Sequence, residues 1–226
     1  MSDKITLLNM DCMDYMRGLP DKAFDLAIVD PPYGIGDAIV DGGGWSVRYQ
    51  DKGVAWDVAP TKEYFDELER VSKNRIIWGG NYFTEHLKPA RCFISWVKPN
   101  MAGMHTMAAC ELALTSFDAN AKVINLTSQS PDQRVHLCQK PVKLYEWLLT
   151  SYAKPGQRIL DTHLGSGSSA IAAYNLGFEF VGMELDADYY AAACKRFEQH
   201  KAQGNLFIPD TPQDAYEQTD LLYASK

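Results

Sequence analysis

The segment Phe24-Asp25-Leu26-Ala27-Ile28-Val29 runs straight into Asp30-Pro31-Pro32-Tyr33, and this junction constrains the fold more than any other stretch of the chain. A short apolar run with branched residues is expected as a buried strand. Two prolines then end it, because neither has an amide proton to give to a sheet ladder. An acid, a rigid corner and an aromatic ring are thereby set at the carboxyl end of a strand, the edge at which open α/β sheets hold ligands. Asp30 can accept one hydrogen bond, the Pro31 carbonyl can accept a second, and Tyr33 offers a flat face. Two acceptors beside a stacking surface suit an exocyclic amino group, which has two protons to donate. The plainer role for the same four residues is a turn that caps a strand.

Runs of this kind recur. Strands are expected at Ile5–Leu8, Phe24–Val29, Arg75–Trp78, Cys92–Val97, Cys110–Ser116, Gln157–Leu160 and Phe178–Met183, with helices over Thr61–Lys73, Val142–Ala153, Ser168–Leu176 and Ala187–Lys201. Such alternation predicts an α/β fold whose mostly parallel sheet is covered on both faces. Cys110–Ser116 follows Cys92–Val97 with little helix between, so one edge is expected to hold an antiparallel strand. The stretch 34–60 is glycine-rich and longer than most connections in compact domains, which marks it as functional or mobile. After Gly204 the periodicity is lost, so residues 1–203 are expected as one domain and 204–226 as a tail.

Charge is less informative. The chain carries a formal −7, but between His86 and Lys143 seven bases face three acids, and from Glu179 onward nine acids face four bases. A basic middle suits a phosphate-binding face and equally suits ordinary solvated surface. The five cysteines (Cys12, Cys92, Cys110, Cys138 and Cys194) are scattered with no Cys-x-x-Cys pair, which predicts reduced thiols rather than disulfides or a zinc site. His163 has no second ligand at suitable spacing, so no metal is expected. No leader and no apolar run of membrane-spanning length is visible, and a cytoplasmic location is expected.

A second constellation lies downstream. Arg158-Ile159-Leu160-Asp161 reads as the end of a strand, and Gly165-Ser166-Gly167-Ser168-Ser169-Ala170 as a G-x-G-x-x-A turn opening a helix. A further strand closes on Glu184 and Asp186, with the acid about 20 residues after the first glycine, as in nucleoside-binding βαβ units. The glycines let backbone approach a ligand, and Glu184 can accept both hydroxyl protons of a ribose. Asp161 next to the turn would repel a pyrophosphate but suits an ammonium or a sulfonium. S-adenosylmethionine carries both, together with a ribose. A sulfonium donor paired with an amino-group acceptor implies methyl transfer to nitrogen.

With these motifs the chain resembles the amino-directed DNA methyltransferases, and among them the compact adenine-type enzymes of phages and prophages. The resemblance extends to about Gln203. It rests on Asp30–Tyr33, on Asp161–Ser169, on Gly182-Met183-Glu184-Leu185-Asp186, and on His136-Leu137-Cys138-Gln139-Lys140-Pro141 as a His-x-x-Gln-Lys-Pro segment. Asn9-Met10-Asp11-Cys12 resembles the segment bordering the donor's adenine, with Met10 in place of a glycine. Thr162-His163-Leu164 stands where the family usually has Pro-Phe and a small residue. The catalytic tetrapeptide precedes the donor loop, which is the circularly permuted, β-type order. The resemblance therefore implies a seven-stranded, mostly parallel Rossmann-like methyltransferase sheet in permuted order.

The resemblance also implies a reaction, a cofactor and roles for residues. Asp30, Pro31, Pro32 and Tyr33 would be catalytic, receiving an adenine turned out of double-stranded DNA, as in restriction-modification enzymes. S-adenosylmethionine would be held by Asp11, Cys12, Asp30, His136, Lys140, Asp161, Gly165, Ser166, Gly167, Ser168, Glu184 and Asp186. Trp45, Arg48, Tyr49, Lys98 and Asn100, on loops flanking the catalytic face, are candidates for contacting DNA. Loops 34–60, 99–106 and 119–134 would select the target, and a homodimer is plausible by analogy. Trp78–Phe83 could wall the base pocket, while His86 and His105 receive no role. The alternatives are a cytosine-N4 enzyme of the same architecture, and a catalytically idle DNA-binding module that retains the donor site. A nicotinamide oxidoreductase lacks any visible hydride-relay residues.

Overall fold

Every residue of Leu26-Ala27-Ile28-Val29 is buried, so this strand must be covered on both sides, and the period of two sorts its side chains accordingly. The computed structural model describes residues 4–35, 57–99, 108–127 and 139–204. Among these are eight strands: β1 (Ile5–Asn9), β2 (Phe24–Val29), β3 (Ser72–Trp78), β4 (Phe93–Val97), β5 (Cys110–Thr115), β6 (Lys122–Asn125), β7 (Arg158–Asp161) and β8 (Glu179–Glu184). The helices are α1 (Cys12–Arg17), α2 (Lys62–Val71), α3 (Val142–Tyr152), α4 (Ser168–Asn175) and α5 (Ala187–Gly204). Leu26 and Ile28 join a core formed with α3, α4 and α5, whereas Ala27 and Val29 join one formed with α1 and α2.

The strands form one sheet in the order β1-β8-β7-β2-β3-β5-β4-β6. β5 alone runs against its neighbours, pairing antiparallel with β3 and β4. The parallel registers place Ala27 beside Leu160, Asp161 beside Gly182 and Asn9 beside Glu184. The carboxyl ends of β1, β8, β7 and β2 therefore lie side by side on one edge of the sheet. Asn9 fastens that edge, its side-chain amide donating to the carbonyls of Glu184 (2.8 Å) and Leu185 (3.1 Å).

The expected α/β architecture is present, with three differences. The sheet has eight strands rather than seven; the additional one, β6, lies inside the stretch 119–134 that was expected to be a loop, and it pairs parallel with β4. The reversed strand lies inside the sheet rather than at its edge. Helix α2 stops at Val71 instead of Lys73, because Ser72 is already extended and its hydroxyl turns back to the Leu68 carbonyl. From Ser72 the chain is β3, paired with β2.

Candidate active site

Asp30 stands directly after the last residue of β2, and the corner Pro31–Gly34 carries Tyr33 back toward it. The Tyr33 hydroxyl donates to Asp30 Oδ1 at 2.8 Å. On its ring Tyr33 is met by Tyr82, stacked at 5.0 Å between centroids with 21° between planes, and by the edge of Phe83 at 6.2 Å. Tyr82 is 47% exposed, so the stack opens to solvent. The Trp78–Phe83 segment supplies these rings through the left-handed Gly79 (φ 68°) and a single 3-10 turn, Gly80–Tyr82. Asp57 holds the other end of the corner: its carboxylate accepts the amide protons of Gly34 (3.0 Å) and Ile35 (2.7 Å) and is itself buried.

Behind this corner lies a row of charges. Lys140 donates to Asp30 Oδ2 and, at 3.3 Å, to the Tyr33 hydroxyl oxygen; its ammonium also pairs with Glu111 Oε2 at 3.0 Å. Lys98 pairs with Glu111 Oε1. Lys140 is only 3% exposed and lies over the Trp78 ring, 5.2 Å from its centroid. Burial raises the Asp30 carboxyl above its ordinary range against the opposing pull of Lys140. Burial acts on Glu111 in the same sense, but Lys140 and Lys98 outweigh it and hold that carboxyl at about 2. Lys140 is itself raised, the two carboxylates overcoming the effect of burial.

One strand away, the glycine turn follows β7. Gly165 (φ 51°) and Gly167 (φ 75°) adopt left-handed backbone, which permits the tight bend into α4. Asp161 is buried and faces inward, accepting the His163 amide at 3.0 Å and the Ser169 hydroxyl at 2.6 Å. Burial pushes its carboxyl up to about 7. Ser166 and Ser168 are buried against Arg196 of α5, whose Nη1 donates to the Ser166 carbonyl (2.7 Å) and the Ser168 hydroxyl (2.9 Å). Glu184, ending β8, accepts the Gly165 amide at 2.9 Å on one oxygen and the Asp186 amide at 3.0 Å on the other. A carboxylate has about four acceptor sites, so both oxygens keep capacity for a hydroxyl.

The remaining sequence-predicted residues fall in different places. Asp11 caps α1, accepting the Met13 amide at 2.7 Å, and burial pushes the adjacent Cys12 thiol up to about 12. Asp186 caps α5 by accepting the amides of Asp188 and Tyr189. Lys98, expected to face DNA, is turned inward onto Glu111. Trp45, Arg48, Tyr49, Asn100 and His136 lie outside the described residues, as do 36–56, 100–106 and 128–134 of the three expected recognition loops and the tail after Gly204. Among the described residues no group of three or more His, Cys, Asp and Glu side chains is placed to hold a metal ion, and no helix is long and apolar enough to cross a membrane.

Sequence reasoning missed Glu111, Asp57 and Arg196. An acid inside the otherwise apolar run Ala108–Leu114 was the available signal for Glu111. Asp57 carries no such signal, because its role depends on a return of the chain to Gly34.

The family model for DNA methylase matches residues 77–195, more than half of the chain. A curated relative, the type II methyltransferase M2.DpnII of Streptococcus pneumoniae, is 23% identical over 243 aligned residues, covering 87% of this chain and 90% of its own length. The solved M1.HpyAVI–SAM complex superposes with a TM-score of 0.57 at 23% identity, covering 85% of this chain and 99% of that one. The cytosine-N4-specific PvuII DNA methyltransferase superposes with a TM-score of 0.60 at 12% identity, covering 96% and 92%. These two structural likenesses are likenesses of fold.

Proposed function

The chain belongs to the DNA methylase family, and from that premise we propose that it transfers a methyl group from S-adenosylmethionine to the N6 amino group of an adenine turned out of double-stranded DNA. One observation carries this reading: β2 and β7 are adjacent and parallel, so Asp30 and the Gly165–Gly167 turn open on the same edge of the sheet. Had the two motifs opened on opposite edges, no transfer between them could occur.

The residues at the second motif suit the cofactor. Glu184 has acceptor capacity for two ribose hydroxyls, and Gly165, without a side chain, leaves its backbone partly exposed beside it, while Gly167 is buried against Ala193 of α5. Asp11, Cys12, Asp161, Ser166, Ser168 and Asp186 support this wall by shaping its backbone; His136 belongs to the same expected set. When bound, S-adenosylmethionine supplies a methyl group activated by attachment to a positively charged sulfur.

The chain's own residues act on the target base. Turning a base out of the duplex costs a few kcal/mol, offset in part by stacking on Tyr33. The Asp30 carboxylate and the Pro31 carbonyl accept the two amino protons, which withdraws the nitrogen lone pair from the ring and directs it out of the ring plane. As that pair forms the new N–C bond, the carbon's bond to sulfur would break with its electron pair going to sulfur, and Asp30 stabilises the positive charge that grows on nitrogen in a low-dielectric setting. The nitrogen then releases one proton to solvent, which restores a neutral amine. Pro32 and Tyr33 hold the geometry, since alignment supplies much of the rate. The acidic first position of the tetrapeptide resembles that of the adenine enzymes more than the Ser-Pro-Pro-Tyr of the cytosine-N4 enzymes, and on that resemblance adenine is the proposed target.

Target selection belongs, in this reading, to 34–60, 99–106 and 119–134 within a single catalytic domain, with Trp45, Arg48, Tyr49 and Asn100 touching DNA. A homodimer is part of the same reading and is checked by light scattering. The deciding experiment is to express the chain, digest the host DNA and identify modified nucleosides by mass. N6-methyladenine is expected, and Asp30→Ala should abolish it while leaving cofactor affinity largely intact. N4-methylcytosine would overturn the adenine assignment, and no modified base would overturn the activity.

A further inference from the structure

The row Lys98–Glu111–Lys140–Asp30 alternates in sign and draws its members from four separate parts of the chain. We propose that Lys140 and Glu111 are positioning residues that clamp the reacting carboxylate: Lys140 fixes Asp30 through Oδ2, and Glu111 holds Lys140 in place while taking up part of its charge. This proposal rests on the reading that Asp30 meets the target amino group.

The geometry supports a clamp rather than a grip on the methyl donor. The Lys140 ammonium donates to two oxygens, Asp30 Oδ2 and Tyr33 Oη, and forms an ion pair at 3.0 Å with a third, Glu111 Oε2, without hydrogen-bond geometry. Tyr33 meanwhile holds Asp30 Oδ1. Both oxygens of Asp30 are thus anchored, which sets the plane of the carboxylate and the direction of its remaining lone pairs.

The electrostatics explain why two carboxylates share one lysine. Asp30 stabilises a growing positive charge only while it is ionised and not fully neutralised. The titratable and charged groups that face it are Tyr33 on its own turn, Lys140 before α3, Glu111 on β5, Asp161 at the end of β7, and the buried phenols Tyr64 of α2 and Tyr145 of α3. Glu111 drives Asp30 toward protonation, as burial does, and Lys140 opposes both; the charge of Asp30 in turn raises Asp161. Glu111 in turn prevents Lys140 from cancelling Asp30. Lys98 balances Glu111, so the buried row sums to zero, the condition under which charges tolerate a low-dielectric setting.

The test labels aspartate carboxyl carbons with 13C and follows Asp30 by NMR through a pH titration of wild type, Lys140→Met, Glu111→Gln and the double variant. Single-turnover methylation against pH and calorimetric S-adenosylmethionine affinity are measured on the same proteins. In Lys140→Met, Asp30 should titrate higher by about one pH unit or more, and the rate should fall about tenfold near neutrality and recover as the pH rises. In Glu111→Gln, Asp30 should titrate lower, with a lower rate across the whole range. The double variant removes one cation and one anion and so keeps the row neutral, with Asp30 and Lys98 remaining, and it serves if a single variant unfolds; there Asp30 should again titrate above wild type. An Asp30 titration that stays put in all three variants overturns the clamp, as does a tenfold loss of donor affinity in Lys140→Met with Asp30 unmoved. Titrations that shift as stated in a wild type that methylates no DNA support the clamp and remove the functional reading instead.

Discussion

Gly79 lies against the ring of Tyr33 so closely that a side-chain carbon at position 79 would stand 2.2 Å from Tyr33 Cε1. The ring cannot keep its place beside Asp30 if that space is filled.

Gly79→Ala should therefore displace Tyr33. A misplacement of about 1 Å costs on the order of a hundredfold in rate, and left-handed backbone at a non-glycine residue costs about 1–2 kcal/mol. Rapid-quench single turnover should show the rate loss, with cofactor affinity held because the glycine turn follows a different strand. A folded Gly79→Ala protein with wild-type turnover would show that Tyr33 is not the stacking surface.

Asp57 closes the base of the long connection after the catalytic corner by accepting two amides from a buried position. Asp57→Ala leaves both without partners, a loss of about 1–3 kcal/mol. Asp57→Asn keeps one acceptor and should lose less. Urea denaturation of the three proteins checks the order wild type, Asn, Ala.

Asp161 and His163 make opposite contributions to acid stability. Asp161 is raised from 3.8 to about 7, so the folded state holds its proton more tightly and stability falls as the pH rises through that window, by on the order of 4 kcal/mol in isolation. Burial lowers His163 from 6.5 to about 4, so there the unfolded state holds the proton and stability falls as the pH drops through that range. The two nearly cancel. Asp161→Asn mimics the protonated acid, keeps an acceptor for the His163 amide, and removes one side of the balance. Its melting temperature should exceed that of wild type above about pH 7 and should fall on acidification from about pH 6.5 to 4 more steeply than that of wild type. Parallel melting curves across that range would contradict the assignment.

Arg196 reaches from α5 to two oxygens of the glycine turn. Arg196→Met should loosen the turn while preserving the packing of the aliphatic stem. Two lost hydrogen bonds at about 1 kcal/mol each predict a rise of roughly tenfold or more in the cofactor Kd. The single-turnover rate at saturating cofactor should change far less. Calorimetry and rapid quench separate the two effects.

Asp30–Tyr33, Gly165–Ser168 and Glu184 were legible in the sequence because each is written locally: a strand, then residues that only a turn accepts. β6 was not legible, since four residues, Lys122–Asn125, carry too little periodicity and become a strand only through pairing with β4. The six-residue α1 was missed for the same reason. Lys98 shows a different limit. Local sequence places it just beyond a strand but says nothing of which way its side chain turns, and that direction is decided by Glu111 on the neighbouring strand. The row of alternating charges lies beyond sequence reasoning altogether, because its members meet only when β2, β4, β5 and the approach to α3 are assembled.

The lone reversed strand, β5, begins where its neighbours end. The described residues on either side of 100–107 therefore meet at one rim, where the Lys98 amide donates to the Ala109 carbonyl, and those flanking 36–56 and 128–138 meet the same rim through Asp57 and Lys140. Insertions exchanged at those three seams leave strand pairing undisturbed. If, as proposed, those margins choose the target, descendants of such a chain would acquire new genomic addresses by swapping margins while inheriting their chemistry unaltered.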